Sequence, residues 1–112
     1  MNLTKLPQSE QAALQIFREG VVSLFADRLA DLRLFGSKAR SDSNDESDTD
    51  VLVLIHRLTA QEKKKVIDLA TEIFLKTDVL LSPLTMTPEE FSKLLRQERM
   101  LALDIQREGI SL

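Results

Sequence analysis

The sequence predicts an α/β fold, a small mixed β-sheet backed by helices, formed as one domain over residues 1–112. Three observations carry this expectation. Asp50 to His56, DVLVLIH, is an unbroken apolar run of strand length, the pattern of a central strand covered on both faces. Thr59-Ala-Gln-Glu62 is a capping box, and Val66, Leu69, Ala70, Ile73 and Phe74 then fall on one helical stripe. Ser9 to Arg28 repeats that spacing with Ala13, Leu14, Phe17, Val21, Leu24 and Phe25, Gly20 being a tolerated interruption. A chain of 112 residues can build one core, removing ~65% of its unfolded surface from water.

The elements follow in order. A helix over 9–28 comes first. Asp31 to Phe35 alternates polar and apolar and reads as a short strand ended by Gly36. Residues 41–49, SDSNDESDT, are all polar or acidic and form a loop. Its hairpin-like length favours antiparallel pairing of the strands on either side. The capped helix follows the central strand. Asp78 to Met86 is a third strand, which Pro83 confines to an edge or a bulge. Thr87-Pro88-Glu89-Glu90 supplies an N-cap, a proline at the first helical position and a glutamate at the third. Phe91, Leu94 and Leu95 face inward on the helix behind it. The helical pattern continues or breaks before Met100 to Arg107, and Gly109 is its stop. The expected order is α-β-β-α-β-α.

Composition excludes several classes of function. A net charge of −3 gives no basic field for long nucleic acids. With no cysteine there are no disulfides, thiolate metal sites or cysteine nucleophiles, and with a single histidine, His56, no zinc site built on several imidazoles. No apolar run approaches the ~18 residues of a membrane span. Met1 to Pro7 lacks the apolar stretch of a signal peptide, so the cytoplasm is the expected location.

The chemistry concentrates in Leu34-Phe35-Gly36-Ser37-Lys38-Ala39-Arg40 and Ser47-Asp48-Thr49-Asp50. Gly36 lets the backbone approach a phosphate closely, and the Ser37 hydroxyl adds a donor to successive amides. The bland alternative is an ordinary strand-ending turn. Asp48 and Asp50, at i and i+2 of a strand, point to one face. Two anions at the mouth of a central strand repel, and a divalent cation resolves that; Mg²⁺ typically takes one or two carboxylates plus substrate phosphates. An exposed acidic loop end is the alternative. Lys38 and Arg40 flank the turn, either as phosphate-neutralising cations or as incidental surface charges. Asp78 is a third carboxylate, as metal ligand or base, if its strand lies beside Asp50; otherwise it is a turn residue.

Other candidates carry less. Read as a calcium loop from Asp42, the acidic run puts Ser47 where glycine is needed and Val53 where glutamate is needed. His56 has nothing nearby in sequence to orient it. Lys63, Lys64 and Lys65 read as a solvated helix face.

Taken together, LFGSKAR, a polar loop and SDTDVLVLI resemble the signature of the minimal nucleotidyltransferases, small members of the DNA polymerase beta-like superfamily. Leu81-Ser82-Pro83-Leu84, Pro88-Glu89-Glu90-Phe91 and Arg107-Glu108-Gly109-Ile110 also resemble this group. The resemblance implies a nucleotidyltransferase fold, with Gly36 and Ser37 on the triphosphate, Arg40 a weaker contact, and Asp48 and Asp50 on Mg²⁺. It implies transfer of AMP from ATP to a hydroxyl, with release of pyrophosphate. It also implies a helical partner of the HEPN class, silenced by adenylylation or by binding, as in a toxin–antitoxin pair. Two departures stand out. Ser41 replaces the usual glycine. The family's third carboxylate falls near Leu84 in one alignment and at Asp78 in another, and six strand residues, ~20 Å, separate the two. A catalytically inert antitoxin acting by contact is therefore the rival reading. Met100, Leu101, Leu103, Ile105, Ile110 and Leu112 either form a partner or homo-oligomer surface or pack on the sheet.

Overall fold

The computed structural model describes residues 6–40 and 48–112, with Ser37 and Arg40 given by their backbone alone. Helix α1 (Gln8–Phe25) leads through a 3₁₀ turn (Ala26–Arg28) into β1 (Leu29–Phe35) and the short helix α2 (Ser37–Arg40). Then come β2 (Thr49–Ile55), α3 (Ala60–Thr77), β3 (Leu81–Met86), α4 (Pro88–Arg96), α5 (Met100–Glu108) and β4 (Ile110–Ser111). The expected loop at 41–49 lies outside the described residues over 41–47.

The four strands form one mixed sheet in the order β3-β2-β1-β4. β1 pairs antiparallel with β2, as the loop length predicts, and β3 runs parallel to β2. The helix α3 supplies the crossover that a parallel pair requires. Pro83 sits on β3, an edge strand where a missing N–H costs no ladder bond.

β2 is buried on both faces, which accounts for its unbroken apolar run. Val51, Val53 and Ile55 face α1 and α3, packing with Phe17, Val21, Val66 and Ile73. Leu52 and Leu54 face the other way, against Met86, Phe91, Ala102 and Ile105. Alternation therefore puts Thr49 on the α1/α3 side and Asp50 on the α4/α5 side. Gly20 is more than an interruption: a Cβ there would stand 2.7 Å from Leu69 Cδ2, so its bare backbone admits α3 against α1.

Both capping boxes form. Thr59 accepts from the Glu62 amide and Thr87 from that of Glu90, each glutamate reaching back to its cap. Other boundaries differ from expectation. α1 ends at Phe25, because Arg28 is drawn across to the far end of β2. Its guanidinium donates to the His56 carbonyl at 3.1 Å and to both Glu62 oxygens at 2.8 and 2.7 Å. The third strand begins at Leu81 and not at Asp78, which takes a left-handed φ of 61° as the C-cap of α3. The helical pattern does break before Met100. The chain then returns as β4 on β1, with the Leu112 amide donating to the Leu32 carbonyl at 2.9 Å. Of the C-terminal apolar set, Ile105 is buried, Ile110 and Leu112 pack against the sheet, and Met100 and Leu101 are exposed. Among the described residues no helix is long and apolar enough to cross a membrane.

Candidate active site

The turn after β1 and the start of β2 meet at one end of the sheet. Phe35 pairs with Asp50, so Gly36 follows directly onto the Asp50 carboxylate. Gly36 has φ +79°, and a Cβ built on it would lie 2.5 Å from Asp50 Oδ2. Glycine is needed here twice, for a left-handed backbone and for the space beside an acidic oxygen. The Ala39 amide then donates to the Gly36 carbonyl at 3.1 Å, turning the chain into α2.

Asp50 is half-buried and Asp48 exposed. Burial first, and the Asp48 charge second, push the Asp50 carboxyl above the usual carboxylate range. Two like charges at the start of a buried strand are a condition that a divalent cation relieves. Asp48, just before the strand, borders a cavity on the α1/α3 side, and Asp50 lies in the strand; carboxylates are the donor type that Mg²⁺ takes alongside water and phosphate oxygens. No cluster of three or more acidic, histidine or cysteine ligands occurs among the described residues.

The parallel register identifies what stands beside Asp50. Asp50 pairs with Ser82 and Leu52 with Leu84, so the β3 side chain level with Asp50 is a hydroxyl. Leu84 lies one same-face step further along the strand, in the apolar layer under α4 and α5. Asp78 precedes β3 and shares a cavity with Asp48 on the α1/α3 side.

Lys38 departs from the sequence expectation of a phosphate-neutralising or surface cation. Its ammonium is 2.5 Å from Glu10 Oε1, and the two side chains are 3% and 8% exposed. This pair ties α2 to the first turn of α1. Sequence reasoning passed over both Glu10 and Ser82. Glu10 sits at a buried position of the α1 stripe, a charge on an apolar face that signals a partner; Ser82 needs the strand register. Ser37 and Arg40 follow Gly36 in α2, at the same end of the sheet.

At one end of a four-stranded mixed sheet, a glycine turn thus packs on the second acidic residue of an Asp-Thr-Asp strand start. The family model described as "Nucleotidyltransferase domain" matches residues 14–106. The chain belongs to that family and is a nucleotidyltransferase. Two proteins of Methanocaldococcus jannaschii, each named "putative protein adenylyltransferase", are similar. One is 42% identical over 69 residues, 61% of this chain and 70% of that protein. The other is 33% identical over 85 residues, 76% and 81%. Solved structures share the fold. One, described as "putative minimal nucleotidyltransferase", aligns with a TM-score of 0.57 at 24% identity over 96% of this chain and 99% of that one. Another, a toxin–antitoxin structure with AMP-PNP, aligns with a TM-score of 0.58 at 18% identity over 94% and 72%.

Proposed function

We propose that residues 1–112 form one Mg²⁺-dependent domain that transfers AMP from ATP to a hydroxyl of a protein partner, a helical protein of the HEPN class, as a cytoplasmic antitoxin. The observation that carries the reading is the contact of Gly36 with the Asp50 carboxylate. It joins a phosphate-approach turn to a metal-ligating strand start. The relatives named as protein adenylyltransferases support AMP as the group and protein as the acceptor. The neighbour holding a nucleotide analogue in a toxin–antitoxin complex supports ATP and a protein partner.

Asp48 and Asp50 would hold the cation, which when bound would draw charge from the phosphate oxygens and the leaving pyrophosphate. Gly36 and Ser37 hold the triphosphate by backbone amides and hydroxyl, with Arg40 as an additional cation. The acceptor oxygen attacks the α-phosphorus. The new O–P bond forms as the bond to the β-phosphate oxygen breaks, pyrophosphate leaves, and the hydroxyl proton passes to water. Asp78, across a cavity from Asp48, belongs to the acceptor side of this site.

A second reading rests on Ser82. With a hydroxyl level with Asp50, the site lacks a third carboxylate on β3. A weak or inert enzyme that neutralises its partner by contact follows from that. Thermal unfolding with Mg-ATP, against ATP plus EDTA, tests the nucleotide site in wild type and Asp48→Ala. Ligand at ~100 times its Kd adds about 2.7 kcal/mol, which moves the midpoint by several degrees. A Mg-dependent rise lost in the variant is the expected result. Labelling of the partner from α-labelled ATP then separates transfer from contact alone.

A further inference from the structure

On the α1/α3 side of the Asp48–Asp50 segment lies a cavity of about 610 Å³. Glu10, Asp48, Thr49, Thr77, Asp78 and Leu80 contribute to its wall. Three carboxylates, those of Glu10, Asp48 and Asp78, stand on that wall beside the hydroxyls of Ser9, Thr49 and Thr77. Glu10 Oε1 takes the Lys38 ammonium, but Glu10 Oε2 is buried without a hydrogen-bond partner, and so is Thr49 Oγ1. These residues are only 6% and 1% exposed. The Thr77 hydroxyl donates to the Ile73 carbonyl at 2.7 Å and accepts from the Val79 amide at 3.2 Å, so it has no proton to offer the cavity. Asp48 and Asp78 add two more carboxylates. No lysine or arginine stands among the described lining residues.

The buried Glu10 Oε2 is a carboxylate oxygen and needs a donor, which an ionised phosphate cannot supply, whereas the Thr49 hydroxyl can donate or accept. Guanidinium and ammonium groups carry donors and no acceptors. The volume exceeds one side chain and suits a residue with its flanking backbone. The rim at Asp48 is shared with the metal-ligating pair, so a group seated here brings its neighbours to the reacting phosphate.

We infer that this cavity seats a cationic side chain, an arginine or lysine, of the protein segment that carries the acceptor hydroxyl. The inference rests on the nucleotidyl-transfer reading above and names the acceptor's chemistry. Glu10 Oε2 and Asp78 receive the cation, and the adjacent hydroxyl reaches past Asp48. Both act on the acceptor and not on the nucleotide.

The test uses the full chain, α-labelled ATP and Mg²⁺, with short peptides bearing Ser, Thr or Tyr flanked by Arg or by Glu. Labelling of the Arg-flanked peptides should exceed that of the Glu-flanked ones at least about tenfold. Asp78→Asn keeps the left-handed C-cap, which asparagine tolerates, and should collapse that preference while the Mg-ATP melting shift persists. Equal labelling, a preference for acidic flanks, or no labelling of either set by protein that shows the Mg-ATP shift overturns the inference. Absence of the shift itself is failure of the nucleotide site, a separate result.

Discussion

Asp50 and Gly36 stand so close that one substitution at either bears on stability and on the proposed nucleotide site together. The carboxyl of Asp50 is raised by burial and by Asp48, so the folded state binds its proton more tightly than the unfolded chain does. Ionising it costs the folded state, and the cost sets in as pH rises from the unfolded value through the folded one. Asp50→Asn should therefore raise the melting midpoint at pH 7 in EDTA, modestly, while abolishing the Mg-ATP shift. A lower midpoint for the variant in EDTA would count against an electrostatically costly Asp50. Gly36→Ala works in the opposite direction. It places a Cβ 2.5 Å from Asp50 Oδ2 on a backbone with φ +79°. The expected cost is about 1–3 kcal/mol, measured by urea unfolding, together with loss of the nucleotide shift. A neutral Gly36→Ala would show that the turn is not packed on the carboxylate.

At the scale of elements, Arg28 and Glu62 join three of them. Glu62 closes the capping box of α3 and takes both arms of Arg28, which also reaches the end of β2. The Arg28 hydrogen bonds, then the Thr59 amide, pull the Glu62 carboxyl down from 4.5 to about 2. A depressed carboxyl contributes stability above its unfolded pKa and loses it as pH falls through the folded value. Wild type should thus exceed Glu62→Gln in melting midpoint at pH 7, with the gap closing between pH 4.5 and 2. A gap independent of pH would assign the effect to packing. The capping boxes were legible in the sequence because their partners lie three residues apart. So were the two helical stripes and the central strand, whose patterns are local. α2 and β4 are too short to carry a period. The start of β3 was misplaced because Asp78 lies within reach of an apolar run, and a left-handed cap leaves no pattern there. The closeness of Gly36 to Asp50 was readable because the turn and the strand start are neighbours in sequence, and their role with Asp48 as a nucleotide site is what the Mg-ATP shift tests. Ser82 beside Asp50 follows from a parallel register that no local pattern encodes.

Across the whole molecule, the buried Glu10–Lys38 pair links the first turn of α1 to the helix that follows the Gly36 turn, 28 residues away. A basic residue next to Gly36 and Ser37 reads as a surface or phosphate-facing charge, yet this one is turned inward. Such a pair is costly to desolvate, and its attraction offsets that cost only when both charges are present. Removing one partner should therefore do more harm than removing both. Lys38→Met leaves the Glu10 carboxylate buried and uncompensated, at an expected cost of about 3–5 kcal/mol. Domains of this kind are stable by only about 5–15 kcal/mol, so the single variant should unfold at much lower urea. Glu10→Leu combined with Lys38→Met replaces both charges by apolar groups and should recover most of the loss. The double-mutant cycle in urea measures the coupling directly, and its sign separates two architectures. Strong coupling, with the double variant well above the lysine variant, places a desolvated ion pair between α1 and α2, so that the site's turn is held from behind by α1. Additive losses would mean that water reaches both charges and that α2 is held by its neighbours on the sheet alone.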